Sequence, residues 1–63
     1  MPLYRCYFLD EQRRVVDHRL IKCDTDDAAR AFADGLLSES GYPMTEVWEA
    51  QRQVHAATKV PPG

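Results

Sequence analysis

Hydrophobic residues follow two rhythms along this chain, short dense runs at both ends and one helical stripe between them. From Leu3 to Leu9 the run LYRCYFL is rich enough in aromatic and apolar side chains to fit a buried strand better than a turn of helix. The polar residues Asp10 to Arg14 interrupt it, and VVDHRLIKC then resumes a strand-like composition, which predicts a hairpin with a fairly long loop. With Leu9 opposite Val15, Phe8 faces Val16, Cys6 faces His18 and Tyr4 faces Leu20 on the core side. The reverse side then carries Leu3, Arg5, Tyr7 and Leu9 beside Val15, Asp17, Arg19 and Ile21, a mixture that leaves both faces partly buried. A bulge in the second strand would bring Ile21 inward in place of Leu20.

The middle segment DTDDAARAFADGLLSES has the chemistry of a helix start. Asp24 or Thr25 can cap free amides, and Asp26 and Asp27 sit at the positive end of the dipole. A helix beginning near Thr25 and ending near Ser38 to Ser40 places Ala28, Ala29, Phe32, Gly35 and Leu36 on one stripe. Asp27, Arg30, Asp34 and Ser38 then point to water, and Asp26, Arg30 and Asp34 stand four apart as supporting ion pairs. Gly35 costs about 1 kcal/mol against Ala, a penalty that suits close docking on the sheet. Gly41 is a left-handed terminator candidate, and Pro43 prevents the helix from continuing.

After the turn, TEVWEAQ and QVHAATK predict a second hairpin around Arg52. A two-residue turn at Ala50 and Gln51 sets Glu49 opposite Arg52 and Val47 opposite Val54, with Trp48 and His55 on the other face. A three-residue loop reverses this and makes Trp48 a core residue; both registers stand. The end KVPPG reads as an unpaired tail, so the expectation is one α+β domain over residues 1–58 and a flexible tail over 59–63. The order is strand, strand, helix, strand, strand: a four-stranded antiparallel sheet with one helix on one face.

Composition narrows the function classes. A chain of 63 residues allows one small domain, with 8 Lys plus Arg against 10 Asp plus Glu and a net charge of -2 that disfavours broad phosphate-backbone binding. So short a chain buries only about 60% of its unfolded surface and usually acquires a staple, here self-association ahead of a metal or disulfide. No membrane-length apolar stretch and no signal-like start is present, which points to a cytoplasmic protein.

The combination of MPLYRCYFLD, CDTDDAARAFADGLL and TEVWEAQRQVHAA resembles a group of small uncharacterised alphaproteobacterial proteins over almost the whole chain. The shared elements are the aromatic strand of Tyr4 through Asp10, the acidic cap and alanines of Asp24 through Ala29, and Val47 and Trp48 with Arg52 and Val54. The resemblance implies the fold and no activity, since the group offers no catalytic residue to carry over. This chain departs from the group's glycine-containing form at both hairpin turns.

Candidate chemistry is sparse. Cys23 falls opposite the start of the chain, away from Cys6, whereas a disulfide needs α-carbons within about 7 Å, so both cysteines read as core residues. Cys6, His18, Cys23 and His55 hold the right atoms for zinc without the paired spacing of a zinc site, and no metal or other cofactor is expected. Neither histidine has a nucleophile motif and no Gly-rich phosphate loop exists, so no enzyme is expected. Aromatic residues with Arg are the usual anchors of interfaces, which singles out Arg5, Tyr7, Arg19, Trp48 and Arg52. For Tyr7 and Trp48 the competing reading is ordinary core packing. One helix covers one face of a sheet, so the other, partly apolar face is expected to meet a second copy of the chain or a protein partner. The alternative is a small ligand or single-stranded nucleic acid on the same aromatic and Arg face.

Overall fold

The computed structural model describes residues 2–59, and the sequence pattern accounts for each element in it. Strand β1 spans Leu3–Leu9, β2 Val15–Lys22, helix α1 Asp26–Glu39, β3 Met44–Glu49 and β4 Arg52–Thr58. The strands form one antiparallel sheet in the order β2-β1-β3-β4, with β1 and β3 central and β2 and β4 at the edges. The expected α+β fold of ββαββ order is therefore the observed one. Its extents of 37 × 20 × 15 Å are those of two thin layers.

The first hairpin starts in the expected register, Leu9 opposite Val15, and then shifts. A bulge at Val16 sets Phe8 against Asp17, Cys6 against Arg19 and Tyr4 against Ile21. Ile21 thus takes the inward place first assigned to Leu20, because alternation resumes one residue out of step beyond the bulge. The same shift moves His18 away from Cys6 to stand opposite Tyr7 on the other face. Asp10 closes the loop: its carboxylate accepts the Gln12 and Arg14 amides, both at 2.9 Å, and its carbonyl accepts the Arg13 amide. Arg13 adopts a φ of 65°, the left-handed residue that follows the turn in a three-residue loop.

Helix α1 begins as expected, with Thr25 accepting the Ala28 amide at 3.1 Å and Asp26 and Asp27 in the first turn. Its inward stripe is rotated from the expected one. Ala29, Ala33 and Leu37 are buried, Leu36 packs beside them, and Phe32 stays 52% exposed. The i, i+4 series of small residues wins because alanines let the helix lie close on the sheet. Gly35 faces away, and a methyl group there would meet nothing within 4 Å, so it is not the close-approach point. Neither does Gly41 end the helix in the left-handed region, since no described glycine has a positive φ. Ser40 caps instead, its amide and hydroxyl both donating to the Leu37 carbonyl, while its Oγ accepts the Tyr42 amide.

The second hairpin turns at Ala50 and Gln51 with Glu49 opposite Arg52, the two-residue alternative. A second bulge, at Val54, then brings His55 rather than Val54 opposite Val47. Ala50 carries a φ of 53° in a turn that lacks glycine. Lys59, expected to open the tail, donates its amide to the Pro43 carbonyl at 2.7 Å and its ammonium to the Ser40 carbonyl. The remainder of the expected tail, 60–63, lies outside the described residues.

Between helix and sheet the core consists of Tyr4, Cys6, Phe8, Ile21, Cys23, Ala29, Ala33, Leu37 and Val47. Thr45 is the one buried polar residue among those described, and its Oγ1 donates to the Tyr7 carbonyl at 2.8 Å and lies 3.2 Å from Cys6 Sγ. The helix packs on β3, β4 and β1, and β2 is the strand it covers least.

Candidate functional site

Strand alternation decides which residues share the side of the sheet away from the helix. The β1 residues Leu3, Arg5 and Tyr7 lie there, with Lys22, Leu20 and His18 opposite them on β2 and Trp48 and Glu46 opposite Arg5 and Tyr7 on β3. Leu9 and Met44 continue the same face; Leu9 is buried yet stands outside the core beneath the helix.

The centre of this face is a row across the strands, Leu20, Arg5, Trp48 and Gln53. Leu20 is 58% exposed and Leu3 46%, which is an apolar surface that no part of the described chain covers. Arg5 is the hub. Its guanidinium carbon stands 5.9 Å from the Tyr7 ring centroid, and its terminal nitrogen donates to the Ala50 carbonyl at 2.6 Å, bracing the second turn. Tyr7 in turn lies beside His18, with ring centroids 6.3 Å apart, while the Trp48 indole donates to Glu46 at 3.2 Å. These contacts tether the aromatic rings on a face that carries Leu20 between His18 and Lys22 on β2 and an acidic group on β3.

Of the residues singled out in the sequence, Arg5, Tyr7 and Trp48 come together on this face. Arg19 and Arg52 do not. The bulge at Val16 turns Arg19 to the helix side, opposite Cys6, and Arg52 reaches the helix N-terminus, where it binds Asp26 and Glu49. His55, expected to be solvated, meets Asp34 of the helix at 2.9 Å. Asp34 is therefore not engaged with Arg30, which pairs with Asp27 instead. Leu20 joins the open face through the bulge that the sequence allowed as an alternative, since residue type alone does not announce which of the two registers forms.

On the helix side, β2 and the helix flank leave a cleft of about 210 Å³ lined by Phe8, Asp17, Arg19, Leu36, Glu39 and Tyr42. Phe8 and Tyr42 stack at 5.3 Å, and the Tyr42 hydroxyl donates to Asp17 at 3.4 Å. Burial pushes the Cys6 thiol up from its usual pKa, which keeps it protonated and poorly nucleophilic. Cys6 and Cys23 are both free; Cys23 stands against Pro2, beyond the end of β1. Among the described residues no three of His, Cys, Asp and Glu gather as a metal site requires, and no helix is long and apolar enough to cross a membrane. Comparison with protein-family models, curated proteins and solved structures returns no match.

Proposed function

We propose that this chain is a non-enzymatic interaction module of the cytoplasm, one that self-associates or docks a protein partner through the sheet face opposite its helix or through an exposed strand edge. The observation that carries this reading is the row of Leu20, Arg5 and Trp48 with Leu3 beside it, apolar area flanked by an Arg and two ordered aromatic rings. A sheet of four strands has two faces to cover, and the single helix serves one. A second copy is the favoured occupant. The face carries Arg5 and Lys22 towards one side and Glu46 towards the other, so it is complementary to itself under a two-fold rotation, and the net charge of -2 is a weak barrier.

Sedimentation velocity across micromolar concentrations tests the reading. The expected result is a concentration-dependent dimer that Trp48→Ala or Tyr7→Ala loosens without changing the circular dichroism spectrum. A protein that stays monomeric throughout, with an open face that captures no partner, removes the proposal. The Arg5 guanidinium over Tyr7 beside Trp48 also favours a second reading, a small anionic ligand or single-stranded nucleic acid stacked on the same rings. Salt separates the two: binding through phosphate weakens steeply as salt rises, whereas an interface of apolar contacts is nearly indifferent.

A further inference from the structure

Strand β2 is an edge of the sheet, and its register against β1 fixes which of its backbone groups face outward. The Cys23 amide donates to the Pro2 carbonyl, so alternate residues from Cys23 back to Asp17 bond inward to β1, and the backbone groups of Lys22, Leu20 and His18 look to the free edge. The His18 amide agrees with this: its acceptor is the neighbouring Asp17 carboxylate at 2.8 Å.

We propose that two copies of this chain join along this edge, antiparallel, about a two-fold axis at His18. The inference rests on the self-association part of the reading above and sets the contact along the strand edge, leaving the open face of each copy uncovered. In that register His18 meets its symmetry mate, Asp17 meets Arg19 of the second copy, and Val16 meets Leu20 of the second copy. The segment Val-Asp-His-Arg-Leu is thus complementary to its own reverse, the His18 pair forming once on the axis and the other two pairs twice. The charged pairs lie on the helix side, where Arg19 has no ion pair among the described residues. The apolar pairs lie on the opposite side, where Val16 and Leu20 are 47% and 58% exposed. Registers centred one residue away set Asp17 against Asp17 or Arg19 against Arg19, so charge selects the His18-centred one. The other edge lacks this property. Pairing β4 with itself about His55 sets Gln53 against Ala57 and Arg52 against Thr58, and Arg52 and His55 are already held by Asp26 and Asp34. The product is a continuous sheet of eight strands in which the two open faces lie side by side.

Charge reversal tests the edge, with sedimentation velocity as the readout and circular dichroism confirming that each variant folds. Asp17→Arg alone and Arg19→Asp alone are each expected to weaken the dimer at least tenfold, by placing like charges opposite each other. An equimolar mixture of these two variants is expected to recover dimers, as heterodimers, because both pairs between positions 17 and 19 then join opposite charges; D17R/R19D in one chain recovers them likewise. Single variants that dimerise like the parent, or a mixture that stays monomeric, overturn the edge pairing. A dimer indifferent to these changes but dissolved by Trp48→Ala overturns the edge and leaves the open-face reading intact, while a parent chain that never dimerises overturns both.

Discussion

Arg52, the first residue of the last strand, clamps both carboxylate oxygens of Asp26, the first residue of the helix, at 2.8 and 3.1 Å. Tyr4 of β1 donates its hydroxyl to the same carboxylate at 2.8 Å, so one acidic side chain ties the helix start to a central strand and an edge strand. Arg52 above all, and then Tyr4, hold the Asp26 carboxyl down at about 2, from 3.8. The Tyr4 hydroxyl is correspondingly pushed up to about 12 by its bond to that carboxylate.

These shifts set the pH range of the clamp. A carboxyl whose folded pKa lies below its unfolded one stabilises the fold above the unfolded value and loses that effect as pH falls through the folded one. Asp26 should therefore support stability down to about pH 4 and lose its contribution between there and pH 2. Tyr4, raised on folding, stabilises below pH 10 and loses its effect as pH rises towards 12. Urea midpoints measured from pH 7 to 2 should fall less steeply in Asp26→Asn than in the parent. Identical acid limbs in the two proteins would show that the clamp contributes nothing.

The element order and a helix start at Asp24 or Thr25 were legible because each rests on local chemistry, alternation and capping, whereas the turn at Ala50 and Gln51 was one of two that the sequence left open. What stayed open or escaped was set by packing. The bulge at Val16 exchanges Leu20 for Ile21 and turns Arg19 from the open face to the helix side, and no residue type in VVDHRLIK marks it. The helix stripe turned for a related reason: Phe32 is the most hydrophobic candidate, yet Ala29 and Ala33 allow the closer approach to the sheet. The meeting of Arg5, Tyr7 and Trp48 was legible in kind, while its partner Leu20 had to await the register.

Gly35 lies in a helix interior with open space around it, so its flexibility costs stability without a structural return. Gly35→Ala should stabilise the protein by about 1 kcal/mol, the ordinary difference between these residues in a helix. Thermal or urea unfolding measures it. A destabilised variant would mean that something packs against this face of the helix in solution.

Arg13 and Ala50 hold left-handed backbone conformations, φ 65° and 53°, at the two hairpin turns where a glycine would be unstrained. Arg13→Gly and Ala50→Gly should each stabilise by about 1 kcal/mol, the relief of the side-chain clash being offset in part by the greater freedom of the unfolded chain. Ala50 is the stricter case, because its carbonyl also accepts the Arg5 guanidinium and the turn must keep its shape to retain that bond. Loss of stability in both variants would show that neither turn needs a positive φ.

The orientation of the helix can be read from two substitutions one and a half turns apart. Leu37 is 4% exposed and part of the core, whereas Phe32 is 52% exposed on the flank. Leu37→Ala should cost about 2 to 5 kcal/mol, the usual range for a large core side chain cut to a methyl. Phe32→Gln should change stability by no more than about 0.5 kcal/mol, as exposed sites do, although phenylalanine is the larger side chain. Urea titrations of both variants at low protein concentration, where self-association does not contribute, compare the two directly. A costly Phe32→Gln together with a mild Leu37→Ala would put the expected stripe of Ala28, Phe32 and Leu36 against the sheet after all, and with it would move the cleft between β2 and the helix.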